Sequence, residues 1–132
     1  MNDYLMGAGN SKDLKVLIVE DVEDARLLMR LELEEHGFIV FEAENGRRAV
    51  DIAMRESPDI ILMDLTLPLM DGFAATKLIR KSQKLKKIPI IAVTGHQGTD
   101  FRSDAKASGF DAYVTKPIDI EWLKGLIDGF MS

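Results

Sequence analysis

In the stretch DIILMD, residues 59–64, four consecutive apolar residues are followed by an acid. A short run that is apolar on both faces is typical of a strand buried inside a parallel sheet. Three other stretches contain a short apolar run followed by polar side chains: KVLIVED at residues 15–21, IPIIAVT at 88–94 and DAYVTKP at 111–117. Patterns with helical spacing separate these runs, so the sequence predicts strands joined by right-handed helical crossovers.

The alternation along the whole chain predicts an α/β fold. The predicted strands are residues 15–19, 38–43, 59–63, 88–93 and 112–115, and the predicted helices are residues 22–36, 47–55, 73–81, about 99–108 and 119–130. Five strands and five helices in 132 residues fit a flavodoxin-like, doubly wound, five-stranded parallel sheet of order 2-1-3-4-5. Residues 1–13 have no sustained period and are predicted to be a flexible N-terminal tail, which leaves residues 14–132 as a single domain.

Composition argues against several classes of function. The formal net charge is −5, so no basic excess is available for nonspecific nucleic-acid binding. Cysteine is absent, which excludes disulfides, thiolate catalysis and cysteine–zinc sites, and the two histidines, His36 and His96, are too far apart in sequence to form a usual zinc set alone. No apolar run reaches transmembrane length and the N-terminus lacks a signal-peptide pattern, so we expect a cytoplasmic protein with no membrane partner.

Polar side chains at the ends of the predicted strands form the candidate site. They are Glu20, Asp21, Asp64, Thr94 and Lys116. Because ligands of doubly wound sheets bind outside the carboxyl ends of the strands, we expect these side chains to converge. Three carboxylates, a hydroxyl and an ammonium suit a hard divalent cation together with a phosphoryl group.

Most of these residues also have a simpler structural interpretation. Glu20 or Asp21 could cap the helix that follows, and Thr94 could cap the next one. The Lys116-Pro117 pair could be an ordinary turn. Asp64 is harder to explain in this way, because an acid directly after an apolar strand needs a partner. A divalent cation or a nearby ammonium would relieve the repulsion among clustered carboxylates.

Together the four motifs resemble the receiver domain of two-component response regulators, of the stand-alone, chemotaxis-regulator-like type. The resemblance rests on VLIVED, ILMDLTLPLMDG, PIIAVTG and DAYVTKP, which stand in the family's order and at its spacing, and it covers about residues 14–131. It implies a protein of a histidine–aspartate phosphorelay that accepts a phosphoryl group from a histidine kinase or a histidine phosphotransfer protein. It also implies a signalling domain rather than an enzyme, although one that assists its own phosphorylation and autodephosphorylation.

The resemblance implies a magnesium-dependent acceptor site. Asp64 would be the phosphorylated residue, and Asp21 and Asp64 would ligate Mg²⁺ directly. Glu20 would act on the ion through water, and the backbone carbonyl of Thr66 would complete the protein ligands. Glu20 stands where an aspartate is frequent in the family, and its longer side chain can still hold a water.

The resemblance also implies a switch. Lys116 would contact the phosphoryl oxygens, Thr94 would move to bind one of them, and the ring of Tyr113 would swing inward with Thr94. The surface formed by the fourth predicted helix, the fifth strand and the fifth helix would then change and bind a downstream protein or a second copy of the chain. We further predict that Thr66 and His96, two residues beyond the acceptor and the switch threonine, set the lifetime of the phosphorylated state by controlling the attacking water.

Other functions stay open from the sequence alone. The chain could be a receiver cut from a hybrid histidine kinase or from a larger regulator. A Mg²⁺-dependent phosphohydrolase also uses an acceptor aspartate on an α/β sheet, but it usually needs a second acid two residues later, where this chain has Thr66. A receiver-like protein that only binds partners is disfavoured, because the acids, Thr94 and Lys116 are all present.

Several surface features have two interpretations each. The basic residues near the end of the third predicted helix are Lys77, Arg80, Lys81, Lys84, Lys86 and Lys87, which we interpret as a solvated helix end rather than a nucleic-acid patch. Trp122 and Leu126 are interpreted as peripheral core, with a partner surface as the alternative, and Phe130 is predicted to close the core stripe of the last helix. Leu28 is predicted to be core, on the face of the first helix that by resemblance meets the phosphodonor.

Overall fold

The structure is a computed structural model that describes residues 13–65, 71–95 and 109–131. Its strands are β1 (Lys15–Val19), β2 (Ile39–Ala43), β3 (Ile60–Asp64), β4 (Ile90–Thr94) and β5 (Ala112–Thr115). The helices within the described residues are α1 (Glu23–Glu35), α2 (Gly46–Glu56), α3 (Gly72–Lys81) and α4 (Ile120–Met131). The predicted tail up to residue 12 and the predicted helix at about 99–108 lie outside the described residues, so the last predicted helix is α4 here.

All five strands run parallel in the order β2-β1-β3-β4-β5, which confirms the predicted doubly wound, flavodoxin-like sheet. The central strands β3 and β4 are buried along their whole length, as expected for apolar runs that are covered on both faces. Both strands end one residue later than predicted, so Asp64 and Thr94 are the last residues of their strands. Asp64 lies beside Val93 in the register, and Thr94 lies beside Thr115. The sheet therefore fixes where the acid and the hydroxyl leave it.

Two hydrophobic layers cover the sheet. On one face the buried residues of α2 and α3 include Ala49, Ile52, Ala53, Ala75 and Ile79. On the other face the buried residues of α1 and α4 are Leu33, Ile120, Leu123 and Ile127. Each fully buried leucine or isoleucine contributes roughly 1.5–3 kcal/mol of transfer free energy. The two layers thus hold the strand ends, and the polar residues on them, in defined positions.

Three apolar side chains whose pattern predicts a core position lie at the surface instead. Leu28 of α1 is 59% exposed, because the helix turns Met29 and Leu33 toward the core. Trp122 is 54% exposed and Phe130 is 36% exposed, so neither belongs to the core of α4, whereas Leu126 does pack against it. None of the helices in the described ranges is long and apolar enough to cross a bilayer.

Candidate functional site

Three carboxylates converge at the carboxyl end of the sheet. Glu20 and Asp21 follow β1 and Asp64 ends β3, and one oxygen of each carboxylate lies within 4.8 Å of an oxygen of the other two. Glu20 and Asp64 are buried, with 2% and 4% of their surface exposed, whereas Asp21 is exposed. The structure therefore brings together the three acids that the sequence singles out.

Lys116 joins the acid cluster from the end of β5. Its Nζ donates hydrogen bonds to Glu20 Oε1 at 2.7 Å and to Asp64 Oδ2 at 3.3 Å. Partial burial lowers the pKa of Lys116, but the hydrogen bond to Glu20 and the charge of Asp64 outweigh this effect and hold the pKa above its ordinary value. Within the described ranges, one protonated ammonium therefore contacts two of the three clustered carboxylates, and these four groups together have an excess of negative charge. The Lys116-Pro117 peptide bond is cis.

Both carboxylate oxygens of Glu20 have hydrogen-bond donors within the protein. Oε1 accepts from Lys116, and Oε2 accepts from the backbone N–H of Val22 at 3.1 Å. Val22 is the N-cap residue of α1, so the alternative that Glu20 or Asp21 holds the N-cap position is wrong. Glu20 instead fixes the loop between β1 and α1 and the ammonium at the same time.

The start of α3 contacts the backbone of Asp64. A Cβ atom on Gly72 would lie 2.1 Å from the carbonyl oxygen of Asp64, so this position requires glycine. Asp71 is the N-cap residue of α3 and accepts a hydrogen bond from the N–H of Ala74 at 2.8 Å. In the sequence, the Asp71-Gly72 pair predicts only a turn that shapes the loop after Asp64. Asp71 is also a residue type that commonly caps helices, so it indicates a helix start at this point. The close approach of Gly72 to Asp64 is a tertiary contact that no local pattern indicates.

Thr94 and Tyr113 lie on neighbouring strands beside the acids. Thr94 ends β4 and is buried, with 1% of its surface exposed. The N–H of Lys116 donates to the carbonyl oxygen of Thr94 at 2.8 Å, which ties the end of β5 to the end of β4. Tyr113 lies in β5 and is half-buried against the core under α2 and α3. Thr66 and His96 fall outside the described residues, so the structure gives no position for either.

A groove of about 450 Å³ opens beside the acid cluster along α1. Its walls include Glu20, Ala25, Leu28, Lys116 and Ile118. The exposed side chain of Leu28 lines this groove rather than the core, which is why its predicted core position is wrong. The groove offers a second molecule an apolar contact next to the charged groups of the site.

The donor set fits a hard divalent cation. All three candidate side-chain ligands are carboxylates, and Mg²⁺ prefers oxygen to nitrogen or sulfur. Two carboxylates about 4 Å apart repel each other by roughly 1 to 4 kcal/mol, depending on the local dielectric. Among the residues that the structure describes, Lys116 alone cannot neutralise three such groups, so a bound cation would reduce the repulsion within the cluster.

Comparison with known proteins identifies the family. Residues 16–128 match the family model of the response regulator receiver domain. The chain is 36% identical over 118 residues to Protein PilH of Pseudomonas aeruginosa. The aligned region covers 89% of this chain and 98% of that relative.

Solved structures agree with this match. The receiver domain of a sensor histidine kinase from Pseudomonas aeruginosa, which holds a magnesium ion coordinated in its active-site cleft, superposes with a TM-score of 0.84 at 30% identity, over 90% of this chain and 98% of that one. The co-crystal structure of the Saccharomyces cerevisiae histidine phosphotransfer signalling protein Ypd1 with the receiver domain of its downstream response regulator Ssk1 contains a chain that superposes with a TM-score of 0.84 at 29% identity, over 91% and 90% of the two chains. This chain therefore belongs to the response regulator receiver family and functions as a receiver domain in phosphorelay signalling.

Proposed function

We propose that Asp64 is the phospho-accepting residue of this receiver. The observation that carries the proposal is the position of its carboxylate, which is buried at the end of a central strand, 3.3 Å from the Lys116 ammonium and beside two further acids. Burial strengthens the electrostatic contacts that a transferred phosphoryl group would make there, because the local dielectric is lower than that of water.

In the proposed transfer, an oxygen of the Asp64 carboxylate attacks the phosphorus of a phosphohistidine. The new O–P bond forms as the P–N bond breaks, and the leaving histidine keeps the electron pair and takes up a proton. A carboxylate is a weak nucleophile, so the protein contributes mainly alignment and charge neutralisation. Lys116, held by Glu20 at 2.7 Å, is within reach of the oxygens of a phosphoryl group on Asp64.

The proposed cofactor is Mg²⁺, held directly by Asp21 and Asp64. Glu20 would act through water, since both of its oxygens already have donors, and the backbone carbonyl of Thr66 would be the remaining protein ligand. When bound, the ion supplies positive charge to the oxygens of the transferring phosphoryl group. The related receiver that holds magnesium in its cleft supports this choice of metal.

The proposed switch follows from the chemistry of the product. A phosphoryl group on Asp64 offers acceptor oxygens that the hydroxyl of Thr94 can bind, and Tyr113 would move into the space that Thr94 leaves. The surface that changes would combine the predicted helix at 99–108 with β5 and α4, and it would receive a downstream protein or a second copy of the chain. The exposed ring of Trp122 on α4 supports a contact on this surface.

The proposed phosphodonor is a histidine kinase or a histidine phosphotransfer protein. The groove along α1 suits this role, because Leu28 supplies an exposed apolar contact next to Glu20 and Lys116. The co-crystal structure of Ypd1 with Ssk1 supports a donor of this kind. We propose a receiver domain of residues 14–132 that acts in the cytoplasm and catalyses only its own phosphorylation and dephosphorylation.

Intact-mass measurement tests the acceptor. In Mg²⁺ and acetyl phosphate the parent protein should gain one phosphoryl group, and Asp64→Asn should gain none. Asp24→Asn removes an exposed acid of α1 outside the cluster and is the matched control, which should gain the group as the parent does. An Asp64→Asn protein that still gains the phosphoryl mass would overturn the assignment. Turnover of added phosphate esters by the parent would favour the phosphohydrolase instead.

We also propose that Thr66 and His96 set the lifetime of the phosphorylated state. Their side chains would flank the path of the attacking water, so Thr66→Ala, His96→Ala and the double variant should change the rate of phosphate release by roughly ten-fold, or about 1.4 kcal/mol of barrier. Mg²⁺ affinity should be nearly unchanged, because Thr66 would ligate through its backbone. Decay at the parent rate in all three variants would contradict the proposal.

A further inference from the structure

Charge is divided unequally between the two helical layers. Residues 46–56 and 72–89, which contain α2, α3 and the turn after α3, carry nine basic and two acidic side chains. Residues 23–35 and 120–131, which form α1 and α4 on the other face of the sheet, carry three basic and seven acidic side chains. The net charge of the whole chain is −5, so the first layer has the opposite sign to the molecule.

The three basic residues of the α1 and α4 layer are neutralised within the protein. Arg26 and Arg30 pair with Glu42 of β2. Lys124 pairs with Asp128 one turn further along α4, at 3.0 Å. This layer therefore has no basic side chain left for an external counter-charge.

Five exposed lysines on α3 and in the turn after it differ from the basic residues of α1 and α4, and we call them the basic face. They are Lys77, Lys81, Lys84, Lys86 and Lys87. Within the part of the chain that the structure describes, none of them makes an ion pair. Lys84 donates to the carbonyl oxygen of Met54 at 2.9 Å, which connects the turn after α3 to the end of α2. The lysines on α3 and in this turn thus lie beside α2.

Stabilisation of a helix end explains only part of this pattern. Cations interact with the partial negative charge at a helix C-terminus within the last turn. Lys81 is in that turn, but Lys84, Lys86 and Lys87 follow the end of α3. Repulsion among unpaired like charges costs stability. Stabilisation of the C-terminus of α3 therefore does not explain why the turn after it carries three lysines.

We propose that the basic face is a docking surface for an acidic segment of a partner protein. Charge complementarity selects an anion, and Met54, which is 45% exposed next to Lys84, adds a flexible apolar contact of the kind found in protein interfaces. A short acidic segment can contact this face alone. An extended anionic surface, whether a nucleic acid or a membrane, would also approach the acidic remainder of the chain and be repelled.

The position of the basic face separates it from the phosphorylation chemistry. Gly72 begins α3 against the backbone of Asp64, and the helix then runs away from the site, so its last turn and the turn after it lie near the start of β4. The groove along α1 is on the other face of the sheet. A partner on the basic face therefore leaves the groove open, and the receiver can hold this partner and a phosphodonor at the same time.

Binding of a defined probe tests the proposal. A short fluorescently labelled peptide of glutamate and leucine should bind the full chain at low ionic strength and weaken as salt is added. Lys81→Glu and Lys86→Glu should each weaken binding by about three- to ten-fold. Lys124→Glu makes the same charge change on the opposite layer and should leave binding unchanged. Backbone amide NMR shifts on adding the peptide should concentrate in α2, α3 and residues 82–89.

Four results would overturn the proposal. Equal weakening by Lys124→Glu would mean that only net charge matters. Tighter binding of duplex DNA or of phosphatidylserine vesicles than of the peptide would assign the face to those surfaces. Salt-sensitive self-association of the parent, abolished by Lys86→Glu, would identify a second copy of the chain as the occupant. No binding of any probe would leave a solvated surface. Lys86→Glu should still gain a phosphoryl group from acetyl phosphate, so a failure here is separable from a failure of the Asp64 assignment.

Discussion

At the carboxyl end of the sheet two buried carboxylates of the three-acid cluster share the ammonium of Lys116, whereas at the amino end charged side chains are matched by partners. Arg80 donates to the carbonyl oxygens of Gly109 and Ile88 and pairs with Asp111 at 2.7 Å. Asp111 also accepts the N–H of Ile90 at 2.8 Å. These contacts join the end of α3 to the first residues of β4 and β5.

Lys15 shows the same kind of matching at the start of β1. Its backbone N–H donates to Asp59 Oδ2 at 2.8 Å, and its Nζ donates to the carbonyl oxygen of Glu56 at 3.1 Å. At the amino end, charged side chains therefore hold neighbouring strands together through hydrogen bonds. The clustered carboxylates lie where a cation and a phosphoryl group would bind, and their mutual repulsion should lower the stability of the free protein.

Removing the central cation of the amino end should have the largest effect on stability. Arg80→Ala leaves the carbonyl oxygen of Gly109 and the carboxylate of Asp111 without their charged donor, so the free energy of unfolding should fall by about 3 kcal/mol. Urea denaturation measures this difference. Lys77→Ala, on the exposed face of the same helix, is the control and should change stability by less than about 0.5 kcal/mol. If the two variants lose the same small amount, the Arg80 contacts do not hold the strands.

Removing an acid of the carboxyl end should affect metal binding. Asp21→Ala should lower the affinity for Mg²⁺ by roughly a hundred-fold, or about 2.7 kcal/mol, because an exposed carboxylate of the cluster is lost. Calorimetric titration measures the affinity, and the fluorescence of Trp122 is a second signal. Asp24→Ala is the matched control, as it removes an exposed acid of α1 outside the cluster. Equal affinity in Asp21→Ala and the parent would contradict the metal site.

The sheet and the convergence at its carboxyl end could both be predicted from sequence. Buried parallel strands such as β3 appear in the sequence as continuous apolar runs. Right-handed crossovers leave few possible strand orders. Once the order is known, the ends of β1, β3 and β5 must meet at one edge. The strand order alone therefore predicts that Asp21, Asp64 and Lys116 lie close together.

The contacts of the amino end could not be predicted in this way. Arg80 is one of six basic residues between 77 and 87, and nothing in the local pattern distinguishes the one whose guanidinium reaches carbonyl oxygens 8 and 29 residues away. The exposure of Leu28 and Trp122 is similar, because helical periodicity gives the residues that share a face but not the width of the neighbouring helix contact. The close approach of Gly72 to Asp64 also depends on tertiary packing alone.

Removing the acceptor charge should raise stability, in contrast to Arg80→Ala. Asp64→Asn removes one of three carboxylates within 4.8 Å, and Lys116 keeps its contact with Glu20, so the free energy of unfolding in the absence of Mg²⁺ should rise by about 1 kcal/mol. Saturating Mg²⁺ should close or reverse this gap, because only the parent gains the full metal affinity. Asp24→Asn should show neither effect. A loss of stability in Asp64→Asn without metal would mean that the cluster is not under repulsion.

The smallest effect on stability should come from breaking the ion pair between His36 and Glu121, which lies outside the acid cluster. Its Nδ1 lies 2.9 Å from the carbonyl oxygen of Glu32 and its Nε2 lies 2.7 Å from Glu121 Oε2, so the protonated ring donates to both. The hydrogen bond to the Glu32 backbone and that to the Glu121 carboxylate raise the pKa of His36 above its ordinary value of 6.5. A raised pKa in the folded state means that this stabilisation is fully present below about pH 6.5 and disappears as the pH rises through the folded value.

Glu121→Gln should therefore be less stable than the parent at about pH 5.5, and the two proteins should converge at about pH 9, where His36 is neutral in both states. Urea denaturation at both pH values measures the gap. Glu35→Gln, which removes another exposed acid near the end of α1, should give a gap that does not change with pH in this way. A gap for Glu121→Gln that is the same at both pH values would show that Glu121 acts on the fold without the charge of His36. The matching of charges seen at the amino end would then not extend to the contact between α1 and α4.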